Sequence, residues 1–165
     1  MDKSQIRFRK ATEEDVPKLI KLCKETVVRV YDQILPREKL ESWVEGGKIA
    51  EMVNKQWQEM IVAERVGEIM GVAAILDDMV DFLWVHPDHH RKGIGSALLD
   101  LVETEINRSG YELARLECFS DNYRAMGFYQ AKGYNPISED MDEDAGALKK
   151  VMTKSLAGSP VDVRI

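Results

Sequence analysis

The amino-acid sequence predicts an α+β fold, in which a central mixed sheet of six to seven mostly antiparallel strands is flanked by helices. Three observations carry that prediction. Apolar segments with strand and helix periodicity follow in the order strand, helices, three strands, helix, strand, helix, two strands. Two turn signals, "RVG" at 65–67 and Asp77-Asp78, separate the middle three strands and make them consecutive antiparallel neighbours. A long amphipathic stretch follows two glycines, with Ile94, Ala97, Leu98, Leu101, Val102 and Ile106 at three- and four-residue spacing.

In chain order, "IRFRK" alternates Ile6 and Phe8 against Arg7 and Arg9, as a half-buried strand does. Thr12 caps a helix over about 13–31. Glu13, Glu14 and Asp15 fill its first turn, where the macrodipole favours negative charge. Pro36 opens a second helix that stops at Gly46 and Gly47, and a third runs over about 48–56. "QEMIVAE", "EIMGVAAIL" and "MVDFLWV" are the three consecutive strands. The helix after the glycines ends near Ser109 and Gly110, and "LARLECF" is the next strand. Ser120 or Asp121 caps a further helix through Lys132, ended by Gly133. "GYNPI" and "ALKKVMTK" are the last strands, with the acidic loop "SEDMDEDAG" between them.

At 165 residues the chain is long enough to bury roughly two thirds of the surface its unfolded form exposes. We read residues 1–154 as one domain and 155–165 as a C-terminal tail. No apolar run approaches the roughly 20 residues that span a bilayer, and "MDKSQIRFRK" has no apolar signal core, so the sequence reads as cytoplasmic with no membrane partner. A net charge of −6 lacks the basic footprint of a nucleic-acid binder and suits a neutral or cationic partner. Cys23 and Cys118 are isolated, in apolar surroundings, with neither metal-ligand nor disulfide spacing.

The segment "VDFLWVHPDHHRKGIGSALLDLVE" runs from a strand through a charged bend into the long helix. It has no Gly-x-x-x-x-Gly-Lys-Ser/Thr. It also fails the dinucleotide fingerprint, whose third glycine position is Leu98. What remains is a helix N-terminus whose amides, from about Arg91 to Ser96, face outward beside Gly93, Ile94 and Gly95. Unpaired N–H groups, the positive dipole end and the charges of Arg91 and Lys92 suit a pyrophosphate. A tight turn without a ligand is the competing reading of the same glycines.

"VHPDHHRKGIGSALL" resembles the acetyl-CoA-binding segment of the GCN5-related N-acetyltransferase (GNAT) superfamily, where Gln/Arg-x-x-Gly-x-Gly/Ala follows a strand ending Val-x-Pro. "DNYRAMGFYQAKGY" resembles that family's second signature, an Asn, a helix containing Phe-Tyr, then Gly and an aromatic. With the element order, the resemblance covers about residues 5–153. One position departs: His90 stands where the family has Gln or Arg, which weakens a side-chain contact while a neutral imidazole can still donate a hydrogen bond.

The resemblance implies a sheet splayed between strands four and five, with the pantetheine arm of acetyl-CoA bonded to strand-four backbone like an added strand. By position, Leu83 and Val85 are the main-chain partners, and Trp84 between them points to the other face as core or as a lining residue. The implied reaction is direct acetyl transfer from thioester to amine through a tetrahedral oxyanion, with no metal. An amide near Val85 polarises the carbonyl. Tyr129 matches the family's general acid for the leaving thiolate. Asn122 matches the Asn beside the CoA arm, with helix capping as a rival role. Asp81, two residues before Leu83 on the same face, is the candidate base; Glu117 is the second. His86 and His89 read as loop residues, since no third ligand has metal spacing.

The resemblance also assigns acceptor choice to the segment between the first two strands, here with Tyr31, Arg37, Trp43 and Trp57. The acidic cluster Glu139, Asp140, Asp142, Glu143 and Asp144 is the other contributor. A primary amine of a small molecule is the expected acceptor. A protein or peptide amine, or a non-catalytic acyl-CoA sensor, is the alternative. The tail "SLAGSPVDVRI", with Val161 and Val163 alternating, suits a strand added across a homodimer interface.

Overall fold

The structure, a computed structural model, describes residues 5–157. The order is β1 (Arg7–Lys10), α1 (Val16–Tyr31), α2 (Arg37–Val44), α3 (Lys48–Gln56), β2 (Met60–Arg65), β3 (Glu68–Leu76) and β4 (Met79–Val85). Then come α4 (Ile94–Arg108), β5 (Leu113–Phe119), α5 (Tyr123–Ala131), β6 (Asn135–Asp142) and β7 (Ala147–Ser155). These form one seven-stranded mixed sheet in the order β1-β2-β3-β4-β5-β7-β6, antiparallel except for the β4–β5 pair. The expected fold is therefore observed. The tail lies outside the described residues from 158 on.

Each sheet face carries its own apolar layer. On one, α4 and α5 bury Ile94, Leu98, Val102, Ile106, Met126 and Tyr129 against Ala73, Val80, Ala114 and Leu116. On the other, α1, α2 and α3 bury Leu19, Cys23, Val27, Leu40, Ile49 and Val53 against Met60, Val62, Val72 and Ala74. Both sulfurs are buried free thiols, Cys23 in the second layer and Cys118 in the first. Gly71 lets α4 lie close to the sheet: a Cβ there would stand 3.2 Å from Ile94 and 3.3 Å from both Leu98 and the Trp84 carbonyl.

Three local expectations are corrected. The first helix is divided, with a 3-10 turn over Glu13–Asp15 before α1, and Thr12 caps that turn in a capping box with Asp15. Asn122, not Ser120 or Asp121, caps α5, its side chain accepting from the Ala125 amide at 3.2 Å. The acidic run is strand up to Asp142: Glu139 pairs with Lys150 and Asp140 with Lys149, so cross-strand charge replaces apolar alternation.

One irregularity shapes the site. Ala74 pairs with Phe82 but Ile75 pairs with Val80, so Asp81 is an extra residue on β4, a β-bulge. The bulge turns Val80 into the α4 layer and Phe82 into the α1 layer, where unbroken alternation would put both on one face. Pairing of β4 with β5 covers only Met79 with Arg115 and Val80 with Leu116, and ends at the bulge.

Candidate active site

Beyond Val80 the two parallel strands part, and a cleft of about 710 Å³ occupies the gap. The ladder on its far side fixes what β4 offers to it. The His86 amide donates to the Met70 carbonyl at 3.0 Å, so antiparallel alternation makes Trp84 and Phe82 the other residues bonded to β3. The amides and carbonyls of Leu83 and Val85 therefore point away from β3, into the gap, as a strand-like ligand requires.

At one end of the cleft the chain leaves β4 through a 3-10 turn, Pro87–His89, and enters α4. Arg91 and Gly93 both hold positive φ, 66° and 78°, which curls the backbone around the helix start. The first bond into α4 runs from the Ala97 amide to the Gly93 carbonyl at 3.1 Å, so the amides of Ile94, Gly95 and Ser96 have no intrahelical acceptor. A Cβ on Gly93 would meet nothing within 4 Å, whereas one on Gly95 would make ordinary contact with Phe128 and Val85 at 3.6 and 3.7 Å, so the open space lies beside Gly93. That open cradle of amides fits a pyrophosphate. Lys132 Nζ donates to Ser96 Oγ at 2.8 Å and pairs with Asp100 at 2.8 Å, tying the end of α5 to this first turn.

The predicted cradle residues divide. His90, Arg91, Gly93, Ile94, Gly95 and Ser96 line the cleft. Lys92 does not; its ammonium lies 3.4 Å from His89 Nδ1. His90 turns back, its Nε2 2.8 Å from the Val85 carbonyl, so this nitrogen carries the proton and is engaged with strand backbone rather than open to a phosphate.

Tyr129 projects from α5 into the α4-side layer and borders the gap, with only 9% of its surface exposed. Phe128 and Tyr134 hold its ring edge to face at 5.2 and 5.9 Å. Among the described residues no group hydrogen-bonds its hydroxyl, which keeps some accessible surface at the gap. Burial, then the nearby Tyr31 and Cys118, push its phenol far above the usual range, which keeps it protonated. Asp81, half-buried at the bulge, has its carboxyl raised by burial and then by Glu117. Glu117 is in turn 3.1 Å from Lys149 Nζ, which also lies 3.2 Å from Asp142. Asn122 lines the cleft, but its side-chain oxygen is spent on the α5 cap.

A sequence model described as an acetyltransferase (GNAT) domain matches residues 19–156. The chain belongs to the GNAT acetyltransferases. The acyl donor of that family is acetyl-CoA. Over 62 residues it is 34% identical to "[Ribosomal protein bS18]-alanine N-acetyltransferase" of Escherichia coli K12, a stretch covering 37% of this chain and 42% of that one. The chain thus spans about two fifths of the length of the curated relatives it matches. A GCN5-related N-acetyltransferase structure from Rhodopseudomonas palustris superposes with TM-score 0.78 at 23% identity, over 94% of this chain and 99% of that one. The PaiA N-acetyltransferase of Thermoplasma acidophilum in complex with coenzyme A gives 0.76 at 21%, over 92% and 99%. At those identities the likeness is one of fold.

The second wall of this GNAT cleft comes from the α1 side. Trp84, placed by sequence among the cofactor residues, sends its indole there, stacked on Phe82 at 4.5 Å, with Nε1 donating to the Tyr31 hydroxyl at 3.2 Å. Of the residues expected to choose the acceptor, Tyr31, Trp43 and Asp142 line the cleft, while Arg37, Trp57, Glu139 and Asp140 do not. Thr26, Arg29, Phe119 and Lys149 also line it. They went unnoticed in the sequence because none belongs to a motif; only the way α1, the end of β5 and β7 meet at the gap brings them together. His86 and His89 are loop anchors: His86 Nε2 is 3.1 Å from Glu25 and His89 Nε2 is 3.6 Å from Glu68. Among the described residues no cluster of three metal-ligating side chains occurs, and no helix is long and apolar enough to cross a membrane.

Proposed function

We propose that this acetyltransferase transfers the acetyl group of acetyl-CoA to the primary amine of a small molecule. The observation that carries the reading is Tyr129: a neutral phenol on a largely buried residue, with no hydrogen-bond partner among the described residues, beside a gap whose lip is formed by Leu83 and Val85 main chain. The pyrophosphate lies on the amides of Ile94, Gly95 and Ser96, with Arg91 and His90 beside it, and the pantetheine arm pairs with β4. The amine, deprotonated through Asp81 with Glu117 next to it, attacks the thioester carbon. The carbonyl electrons move to oxygen, against the amide near Val85. The oxyanion collapses, the carbon–sulfur bond breaks, Tyr129 gives its proton to the departing thiolate, and the extra proton on the nitrogen, made cationic by the attack, is lost through water, which restores the Tyr129 phenol.

A peptide N-terminal amine is the second reading, favoured by the 34% identity to the bS18-alanine N-acetyltransferase. The remaining parts of the proposal are a single domain over 1–154, a cytoplasmic setting and a homodimer. Two buried free cysteines support a reducing compartment. The outer edge of β6, without a strand partner among the described residues, supports association of copies.

The test follows CoA release from acetyl-CoA across polyamines, amino acids, aminoglycosides and peptides, alongside Tyr129→Phe. The expected result is a hit among small amines and a loss of turnover in the variant of about 10²-fold or more, with acetyl-CoA affinity kept. Unchanged turnover would remove Tyr129 from the role of acid. Hits confined to peptides would move the acceptor to the second reading. Tight acetyl-CoA binding with no turnover on any acceptor would make the protein a sensor.

A further inference from the structure

Tyr31 spans the sheet opening on the face opposite Tyr129. Its hydroxyl accepts from Trp84 of β4 at 3.2 Å, and its ring stands edge-on to Phe119 of β5 at 5.3 Å, so it reaches both strands where they have parted. Trp43 of α2 closes on it at 6.5 Å, also edge to face. Three aromatic neighbours from three elements thus fix one rotamer, and the phenol borders the cleft.

The direction of the indole bond decides what Tyr31 can do. An indole nitrogen only donates, so the phenol oxygen is the acceptor, and its own proton remains to be given elsewhere. Among the described residues nothing receives it. A hydroxyl that accepts one bond is also polarised as a donor in the next. The phenol stays neutral, since burial pushes its pKa up to about 12.

We propose that Tyr31 is a second oxyanion donor, its O–H hydrogen-bonding the thioester oxygen of the tetrahedral intermediate together with β4 main chain, and that Trp84 is the residue positioning it. This rests on the transferase reading above. No proton moves in this step. The amine nitrogen bonds to the carbonyl carbon, the carbonyl electron pair goes to oxygen, and Tyr31 holds its proton against that charge until the carbon–sulfur bond breaks and Tyr129 protonates the sulfur. A preset donor aimed at developing charge needs no reorganisation during reaction, which is why such donors act strongly on turnover.

The experiment uses the full chain, acetyl-CoA and hydroxylamine, a nucleophile too small to need the acceptor pocket, with hydroxamate and CoA formation as readouts. Tyr31→Phe keeps the ring contacts and removes only the hydroxyl. It is expected to lower kcat by roughly 30- to 300-fold, with KM for hydroxylamine and calorimetric Kd for acetyl-CoA within about two-fold of the parent. Trp84→Phe is expected to lower kcat by about 3- to 10-fold at the same Kd, with no further loss when added to Tyr31→Phe. An unchanged kcat in Tyr31→Phe overturns the proposal and makes Tyr31 an acceptor-binding residue. So does additivity of the two losses, which would separate Trp84 from Tyr31. A parent protein that binds acetyl-CoA yet never transfers its acetyl group would sink the transferase reading first, and this proposal with it.

Discussion

The Nε2–H of His90 donates to the carbonyl of Val85 at 2.8 Å. The bond joins the end of β4, the proposed pantetheine lip, to the loop that leads into the proposed pyrophosphate cradle at the start of α4. A carbonyl has two lone pairs, so an incoming ligand can share it. His90→Ala is expected to weaken acetyl-CoA binding about 3- to 10-fold by calorimetry, and His90→Gln, which can donate to the same oxygen, to weaken it less. Tighter binding in His90→Ala would show instead that the imidazole competes with the ligand.

Asp81 gives a pH dependence with a definite sign. Its carboxyl is raised by burial and then by Glu117, and a base works only when ionised, so with Asp81 as the proposed base turnover is expected to rise with pH through a limb above the ordinary carboxylate range. Glu117→Gln removes the second cause and is expected to move that limb to lower pH; Asp81→Asn is expected to abolish it. Folding raises this group's pKa, so its ionised form costs native stability above that pKa, and Asp81→Asn should also raise Tm. A limb that survives Asp81→Asn would place the base elsewhere.

Gly71 is where packing tolerates least. An added methyl would press on Ile94, Leu98 and the Trp84 carbonyl at 3.2–3.3 Å, and the last of these is backbone that cannot swing aside. Gly71→Ala is expected to cost about 1–3 kcal/mol in chemical denaturation, and Gly71→Val more. Because α4 carries the cradle, acetyl-CoA affinity should fall with stability.

The Arg9 cluster sets acid stability. Arg9 bonds Asp15 at 2.7 Å and Glu64 at 2.8 Å. The Asp15 carboxyl is held down to about 2, first by the Arg9 hydrogen bond. A depressed carboxylate contributes stability that is present above its unfolded pKa near 4 and lost as pH falls toward 2. With Arg9 partly exposed, that contribution is roughly 1–2 kcal/mol. Arg9→Met should therefore lower Tm at pH 7, with the difference from the parent vanishing near pH 2. A constant difference across that range would assign the effect to lost packing.

How far the sequence could be read depended on whether the cause was local. The glycine junction and the α4 stripe were legible because helix starts and apolar spacing are written in neighbouring residues. The α5 cap was not, since Ser120, Asp121 and Asn122 can all cap; tertiary position decides, with Ser120 turned to Glu139 at 2.6 Å and Asn122 left to receive the Ala125 amide. The acidic run looked like a loop because its partners, Lys149 and Lys150, lie on the next strand. Tyr129 could be found by motif. The α1 wall could not: Tyr31 and Trp84 are 53 residues apart, and neither signals the other.

The bulge at Asp81 makes the opening a matter of counting. Without that one residue, Val80 and Phe82 would fall into ordinary alternation and β4 could run on beside β5 as an unbroken ladder. Such a protein would keep its core and its helices while offering nowhere for a thioester to lie. The length of one strand thus marks where the sheet stops being continuous, since the extra residue and the end of β4–β5 pairing fall at the same place.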